Sequence, residues 1–271
     1  MIDTHLHLWD TERFTYPWLD DEPRLPRPLT GRELDTRTTD GRRVVLVEAG
    51  VDPRDVEGEA RWFARLAASH PAVHGFVAAV DLTREDLGTT LDALQALPGF
   101  VGVRHLWQDT TLLSSHPGPL GAALGELARR EIAFDACVRA GQLPALHRLV
   151  ESAPEATIVL DHLGKPPVGD PRGLDRWRAD LARLAEVPGV HCKLSGLPAE
   201  CRDAGELETH LAGIVAHAVG CFGPGRCLVG SDWPVSDPGF DWCARVVGML
   251  PEQDRHAVAE ANALTIYRRH R

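Results

Sequence analysis

The most regular feature of the chain is a series of short, apolar, β-branched runs separated by turn-forming residues. Strands of a parallel sheet are buried on both faces, and these runs have the length and composition of such strands. Pro-Gly breaks precede some of them, as at Pro98-Gly99 and Pro188-Gly189. We predict eight strands, at residues 2–7, 43–49, 74–80, 100–106, 132–138, 157–163, 190–196 and 226–232.

Helical patterns fill the gaps between these strands, with apolar residues three and four positions apart, as in LDRWRADLARLAEV. Eight strands that alternate with helices in a chain of 271 residues predict a (β/α)8 TIM barrel, with residues 1–271 as a single domain. A doubly wound open sheet is the structural alternative, but no Gly-x-Gly-x-x-Gly follows a strand. A final helix at about 252–269 is expected to pack across the barrel.

One connection is much longer than the others. Residues 8–42 separate the first two predicted strands and contain four prolines. A long irregular segment inside a compact domain is usually functional. Because the loops that follow the strands build the mouth of a barrel, we expect residues 8–42 to form an active-site lid.

Composition narrows the class of protein. There are 39 acidic and 29 basic residues, for a formal net charge of -10 and no basic stripe, which disfavours a nucleic-acid-binding protein. No run approaches the ~20 apolar residues of a membrane span, and the N-terminus lacks the features of a secretory signal. The six cysteines show no Cys-x-x-Cys spacing, which favours reduced thiols in a cytoplasmic enzyme.

His5 and His7 are the first candidate site residues. Side chains two residues apart in a strand face the same side, so both imidazoles are expected to point into the barrel mouth. Neutral imidazole suits zinc, and a shared cation is one interpretation; a hydrogen-bonded histidine pair without metal is the other. Glu48, near the end of the second strand, is either a further metal ligand or the first solvated residue of its loop.

Asp232 and His162 are the candidate catalytic residues, at the ends of the eighth and sixth predicted strands. A carboxylate beside polarised water can take its proton and return it to a leaving oxygen, so we expect Asp232 to be the general base. The alternative for Asp232 is a helix N-cap before Pro234. Together these two residues favour the metal interpretation of His5 and His7.

Further residues at the same rim are candidates for substrate binding. Arg104 and His105 end the fourth strand, where neighbouring side chains face opposite ways, so one of them is expected to face the site. Lys165 and Lys193 are the chain's two lysines, and both fall at this rim. Three tryptophans either stack on a sugar ring or pack within the loops: Trp18, Trp107 and Trp233.

Ordered motifs along the chain resemble the amidohydrolase-2 family of the amidohydrolase superfamily. More narrowly, they resemble its branch of L-fuconolactonase- and L-rhamnonolactonase-like sugar lactonases. The resemblance runs from residue 3 to about residue 267, and it implies a distorted (β/α)8 barrel that hydrolyses a lactone. The motifs are DTHLHLWD (3–10), YPWL (16–19), GVRHLWQD (102–109), LDHLGKP (160–166), CKLSGL (192–197), GSDWPV (230–235) and EANALTIY near the end.

The resemblance implies that His5 and His7 form the strand-one pair, with His162 as the strand-six histidine and Asp232 as the strand-eight acid. The chain departs from the two-metal members of the superfamily. Its fifth strand carries Cys137 where a histidine ligand is expected, and its fourth offers no lysine for carboxylation. One divalent metal, with zinc preferred, therefore fits better than two, and a metal-free site stays open.

The expected function is the opening of a lactone, in particular a sugar-acid lactone, by water that Asp232 activates with metal assistance. A metal-dependent decarboxylase of an aromatic or muconic-type acid uses a similar residue set and is the alternative. A non-catalytic barrel that binds a sugar acid is a third interpretation. The expected partner is a small-molecule lactone or sugar acid, with no nucleic acid and no membrane, and a homo-oligomer is compatible with the fold.

Overall fold

The computed structural model describes residues 1–38 and 40–268, and it contains an eight-stranded parallel sheet in which neighbours in sequence are neighbours in space. The predicted (β/α)8 barrel is confirmed. The single domain was expected to cover residues 1–271. Residue 39 and residues 269–271 of that range lie outside the described residues. The strands are β1 Ile2–Leu6, β2 Arg43–Val47, β3 Val73–Ala79, β4 Phe100–Leu106, β5 Ala133–Cys137, β6 Ile158–Leu160, β7 Val190–Leu194 and β8 Cys227–Val229.

Helices connect the strands and form the outer layer. Several begin at an aspartate whose side chain accepts a backbone N–H of the first turn, as Asp170 and Asp203 do. No helix of the described ranges has the length and hydrophobicity needed to cross a membrane. The helices are α1 Gly31–Arg37, α2 Val56–Ser69, α3 Leu87–Gln95, α4 Leu112–Ser115, α5 Pro117–Arg129, α6 Leu143–Glu151, α7 Pro171–Leu184, α8 Ala204–Phe222, α9 Trp242–Gly248, α10 Glu252–His256 and α11 Asn262–Ile266.

The C-terminal helical segment is continuous, because a π-helical turn at Ala257–Ala261 joins α10 to α11. It supplies Tyr267, which is fully buried and belongs to an apolar cluster with alternate residues of the strands, such as Val45 and Val47. The segment therefore closes one end of the barrel. The predicted helix end at 269 lies outside the described residues.

The long connection after β1 is more ordered than its prolines suggest. It contains a 3-10 turn at Pro17–Asp21 and helix α1, and Trp9 and Leu29 pair as an antiparallel bridge. The Trp9 indole donates to the carbonyl of Pro26, 2.8 Å away. These contacts fold the connection over the barrel mouth.

The barrel closes between β1 and β8 at its mouth. The amide of Asp232 donates to the carbonyl of His5 at 2.7 Å, and the amide of His7 donates to the carbonyl of Trp233 at 2.9 Å. Deeper in the barrel, the Thr4 hydroxyl donates to the carbonyl of Val229. The first and last strands are therefore joined mainly through residues just beyond β8.

Several strands end earlier than the hydrophobic pattern predicts. β6 stops at Leu160, and residues 161–164 form a 3-10 turn in which His162 and Leu163 have left-handed backbone angles (φ 52° and 58°). β8 stops at Val229, and Asp232 also has a positive φ of 59°. The polar residues expected at strand ends therefore lie on tight turns above the sheet.

Arg226 forms hydrogen bonds with three segments of the barrel: the residues after α7, the start of β7 and the end of α8. Its guanidinium donates to the carbonyls of Val187 and Val190, which flank the start of β7, at 3.0 and 3.1 Å. It also donates to the carbonyl of Ala185 beyond α7 and to that of Phe222 at the end of α8. One side chain thus satisfies four backbone acceptors that helix and strand ends leave open.

Replacement of Arg226 by methionine should destabilise the fold, because four carbonyls lose a charged donor. We expect a loss of about 2–3 kcal/mol in the free energy of unfolding, measured by urea denaturation. Arg61→Met, which removes an exposed pair with Glu57, is the matched control and should cost under about 0.5 kcal/mol. Equal losses in both variants would contradict this role of Arg226.

Candidate active site

A cavity of about 430 Å³ opens at the carboxyl ends of the strands, where the active sites of (β/α)8 barrels lie. His7, His162 and Asp232 line its floor. Trp18 lies in its wall, held by a hydrogen bond from its indole to the carbonyl of Ala49. The connection after β1 therefore contributes directly to the cavity.

Three imidazoles surround one carboxylate on the cavity floor. Oδ1 of Asp232 lies 3.3 Å from Nε2 of His7, 3.7 Å from Nε2 of His5 and 3.9 Å from Nε2 of His162. The two strand-one rings also face each other, with 3.1 Å between their Nε2 atoms. These contacts all involve Oδ1 of Asp232.

The partners of the strand-one histidines place a proton on His7 and leave two positions open on His5. Nδ1 of His7 lies 3.0 Å from the carbonyl of Val47, which can only accept, so Nδ1 carries a proton. Nδ1 of His5 lies 3.1 Å from the Lys193 ammonium, which can only donate, and 3.3 Å from Oδ1 of the Asp161 carboxylate, which can only accept.

Burial controls the ionisation of the catalytic candidates. It lowers the pKa of His162 to about 4, so this imidazole is neutral at neutral pH. For Asp232, burial opposes ionisation, but His162, His7 and His5 outweigh it and hold its pKa well below the usual range. The floor thus presents an ionised carboxylate beside the neutral imidazole of His162.

The position of His162 depends on a close backbone approach. Its Nδ1 lies 2.9 Å from the hydroxyl of Ser195, which follows β7. At the next position, Gly196 has φ 67°, and a Cβ there would lie 2.4 Å from Nδ1 of His162. A glycine is therefore required both for the backbone angle and for the space that the ring occupies.

A layer of buried charges lies beneath the floor. The ammonium of Lys193 contacts Asp135 at 2.6 Å and Asp161 at 2.9 Å, and its remaining donor faces His5. The phenol of Tyr267 donates to the other oxygen of Asp135 at 2.7 Å. Burial opposes the charge of Lys193, but the two carboxylates outweigh it and raise its pKa.

Arg104 belongs to the same layer. Its Nε donates to Glu48 Oε1 at 2.5 Å, and Nη2 donates to the carbonyl of Glu48 at 2.5 Å. Its Nη1 lies 3.5 Å from Asp161 and 3.4 Å from Nε2 of His5. The guanidinium touches the cavity wall, but most of its donors are already used inside the protein.

The floor fits a metal ion in its donor types and spacing. The three atoms His5 Nε2, His7 Nε2 and Asp232 Oδ1 are 3.1 to 3.7 Å apart. Ligands of tetrahedral zinc, with bonds of about 2.0–2.1 Å, are separated by roughly 3.3 Å. His5, Asp161 and His162 form a second group of suitable donors. Carboxylates outnumber cations in the buried layer, so a divalent cation would offset their charge.

The cavity brings together six of the predicted site residues and leaves others apart from it. Glu48, expected as a ligand, instead pairs with Arg104 and accepts the amide of Gly50, because the guanidinium occupies its carboxylate. Lys193 is fully buried and lies beneath the floor, so it does not reach the cavity. The six that line the cavity are His7, Trp18, Arg104, His162, Lys165 and Asp232.

Three more predicted substrate-binding residues also lie away from the cavity lining. Nδ1 of His105 accepts the amide of Leu82, so of the two residues that end β4 it is Arg104 that faces the site. Trp107 is buried and its ring centroid packs 4.7 Å from that of Phe134. Trp233 lies under the guanidinium of Arg37, at 4.8 Å.

Sequence reasoning missed part of the charge layer and one residue of the cavity. Tyr267 gave no signal in the sequence, because it resembles an ordinary apolar residue at the end of a helix. Asp135 could have been found, because it is a charged residue within the apolar run of β5. Glu200 ends a short 3-10 turn and lines the cavity together with Lys165. Its position depends on loop geometry that no hydrophobic pattern reveals.

The fold and floor together define a (β/α)8 barrel with a histidine- and aspartate-lined mouth. The family described as Amidohydrolase matches residues 2–269. The chain therefore belongs to the amidohydrolase family, as the motifs indicated, and it is an enzyme.

Known relatives cover nearly the whole chain. An L-fucono-1,5-lactonase of Burkholderia ambifaria is 31% identical over 98% of this chain and 95% of its own. An amidohydrolase of Burkholderia multivorans, solved with bound zinc, is 27% identical with a TM-score of 0.85 and 98% coverage of both chains. A 2,6-dihydroxybenzoate decarboxylase from Rhizobium, 15% identical with a TM-score of 0.66 over 98% of both chains, shares the fold alone.

The chain's two lysines should differ sharply in their effect on stability. Lys193→Met leaves Asp135 and Asp161 buried without their cation, and we expect a loss of about 3–5 kcal/mol in the free energy of unfolding. Lys165→Met removes a partly exposed ion pair and should change stability by less than about 0.5 kcal/mol. Chemical denaturation of both variants checks this, and a Lys193→Met variant as stable as wild type would refute the structural role.

Proposed function

We propose that the enzyme hydrolyses a sugar-acid lactone, with Asp232 as the general base. The observation that carries the proposal is the ionised Asp232 carboxylate on the floor of the cavity, with three imidazoles within 3.9 Å of its Oδ1. The similarity to L-fucono-1,5-lactonase over nearly the full length of both chains supports the lactone as substrate class. The size of the cavity, about 430 Å³, is within the usual range for a small-molecule site.

In the first step, a water oxygen attacks the lactone carbonyl carbon and Asp232 accepts the water's proton. The new C–O bond converts the carbonyl oxygen into an oxyanion, which needs donors close to it. His162 is neutral and borders the cavity, so its ring N–H can donate to this oxygen when Ser195 donates to Nδ1. Arg104 adds positive charge behind the floor.

In the second step, the intermediate re-forms the carbonyl and breaks the bond to the ring oxygen. Asp232 returns its proton to that oxygen, which leaves as a hydroxyl group, while the product is a hydroxy acid. Trp18 presents an aromatic face on which a sugar ring can stack. Lys165 is the proposed contact for the polar end of the substrate.

We propose that one divalent metal, with zinc preferred, is held by His5, His7 and Asp232. Such an ion polarises a carbonyl and lowers the pKa of water near it. The proposal rests on the donor spacing of the floor and on the zinc-bound amidohydrolase of Burkholderia multivorans. Glu48 is not proposed as a ligand, because Arg104 holds its carboxylate.

Removal of the general base should abolish most turnover. Asp232→Asn keeps the shape of the side chain but cannot accept the proton, so we expect kcat to fall at least ~100-fold with a lactone substrate. Hydrolysis is followed through release of acid in a weakly buffered indicator assay. Asp237→Asn, an exposed carboxylate five residues further on, should retain normal turnover.

The same assay distinguishes the competing function. Release of CO2 from an aromatic acid, without hydrolysis of any lactone in a broad panel, would replace our proposal with the decarboxylase alternative. Near-normal lactone turnover by Asp232→Asn would instead overturn the assignment of the base.

A metal-binding floor can be tested without measuring activity. His7→Gln removes one of the three closely spaced donors, and we expect zinc affinity in equilibrium dialysis to fall at least ~10-fold. His147→Gln, on an outer helix, should bind zinc as wild type does. Wild-type protein that takes up no zinc at this site would refute the metal assignment and leave the lactonase proposal to its own test.

A further inference from the structure

Lys165 and Glu200 face each other in the cavity on two neighbouring loops. Lys165 ends the turn that carries His162, and Glu200 ends the 3-10 turn that follows β7. The pair also borders a second cavity of about 530 Å³, so it lies between the two spaces. Both side chains are partly buried, with 17% and 19% of their surface exposed. A ligand near His162 can therefore reach them.

Lys165 and Glu200 are close enough for their opposite charges to attract, but they are too far apart to form a hydrogen bond with each other. Nζ of Lys165 lies 3.8 Å from Oε1 of Glu200, which is longer than a hydrogen bond. Within residues 1–38 and 40–268, neither side chain has a closer polar partner. Three N–H donors and two carboxylate oxygens thus remain to bind a ligand.

The other charged groups around the cavity are already paired. Arg104 is engaged by Glu48. Asp52 is paired with Arg54, which also donates to it from its backbone. Of the described residues that line the catalytic cavity, Lys165 is thus the cation with donors to spare.

Arg139 at the border of the second cavity is held by Asp109 through two bonds of 2.6 and 2.8 Å. Lys165 is thus left as the natural contact for a substrate carboxylate, and Glu200 stands directly beside it. Partial burial raises the pKa of Glu200, and the nearby Lys165 ammonium opposes that shift and favours the ionised form.

A carboxylate placed on Lys165 would meet the like charge of Glu200 in a site screened from water. Two like charges about 5 Å apart at an effective dielectric constant near 20 repel by roughly 3 kcal/mol. This repulsion offsets most of the attraction to the Lys165 ammonium, so the cost of removing the substrate carboxylate from water is left without compensation. Hydroxyl groups meet no such penalty, because their O–H groups donate hydrogen bonds to Glu200 and their oxygens accept hydrogen bonds from Lys165. The geometry therefore favours a substrate whose distal end carries hydroxyl groups and no charge.

We propose that Glu200 is a specificity-determining residue, which together with Lys165 binds hydroxyl groups of the substrate and excludes lactones that carry a carboxylate at that end. This inference rests on the proposed lactonase function. The inference concerns the choice of substrate and not the chemical step. Its effects should therefore appear in KM and in the ratio of kcat/KM between two substrates.

The test compares two lactones of one configuration, galactono-1,4-lactone and galactaro-1,4-lactone, which differ in whether the terminal carbon is a hydroxymethyl group or a carboxylate. Wild type should prefer the neutral lactone in kcat/KM. Glu200→Gln keeps the side-chain volume and removes the charge, and it should shift the ratio of kcat/KM toward the carboxylate lactone at least ~10-fold. Glu200→Ala should raise KM for the neutral lactone about 5-fold with little change in kcat.

Glu208→Gln is the matched control, since Glu208 pairs with Arg245 on an outer helix and should leave the ratio unchanged. A wild-type preference for the carboxylate lactone, or an unchanged ratio in Glu200→Gln, would overturn the role of Glu200 while leaving the lactonase function intact. Absence of turnover with every lactone in wild type would instead overturn the proposed function itself. The wild-type comparison stands even if a variant fails to fold.

Discussion

The site depends on two backbone hydrogen bonds that join the end of β1 to the residues after β8, and we call this pair of bonds the joint between β1 and β8. The amide of Asp232 bonds to the carbonyl of His5, and the amide of His7 bonds to the carbonyl of Trp233. The same residues that close the barrel therefore carry the imidazoles and the carboxylate of the floor. Any opening of this joint would separate Asp232 from the histidines, so closure of the fold and assembly of the site are one event.

The buried charge layer makes this joint rigid from below. Lys193 directs its three donors to Asp135, Asp161 and His5, and Tyr267 at the chain's far end completes the partners of Asp135. A buried ammonium is tolerated only when each donor has an acceptor, which fixes all these side chains relative to each other. The helical segment at the bottom of the barrel is thereby connected to the floor of the cavity.

Hydrophobic patterning was sufficient for the fold, because each strand of a parallel barrel is an apolar run of its own. It located His5, His162 and Asp232 at one rim but could not place their side chains, since turns with positive φ re-aim two of them. Lys193 shows the limit most clearly. Its place near the end of β7 suggested substrate contact, whereas pairing with two buried acids that are distant in sequence draws it beneath the floor.

The proton on His5 links this layer to metal binding. Nδ1 of His5 lies 3.1 Å from the Lys193 ammonium and 3.3 Å from Oδ1 of Asp161, while Nε2 faces His7 and the guanidinium of Arg104. To offer Nε2 to a cation, the ring must carry its proton on Nδ1, where Asp161 is the acceptor. Because the guanidinium can only donate, it also favours a lone pair on Nε2. Asp161 and Arg104 therefore both favour the state of His5 that can serve as a ligand, which connects the buried charge layer to the proposed metal site.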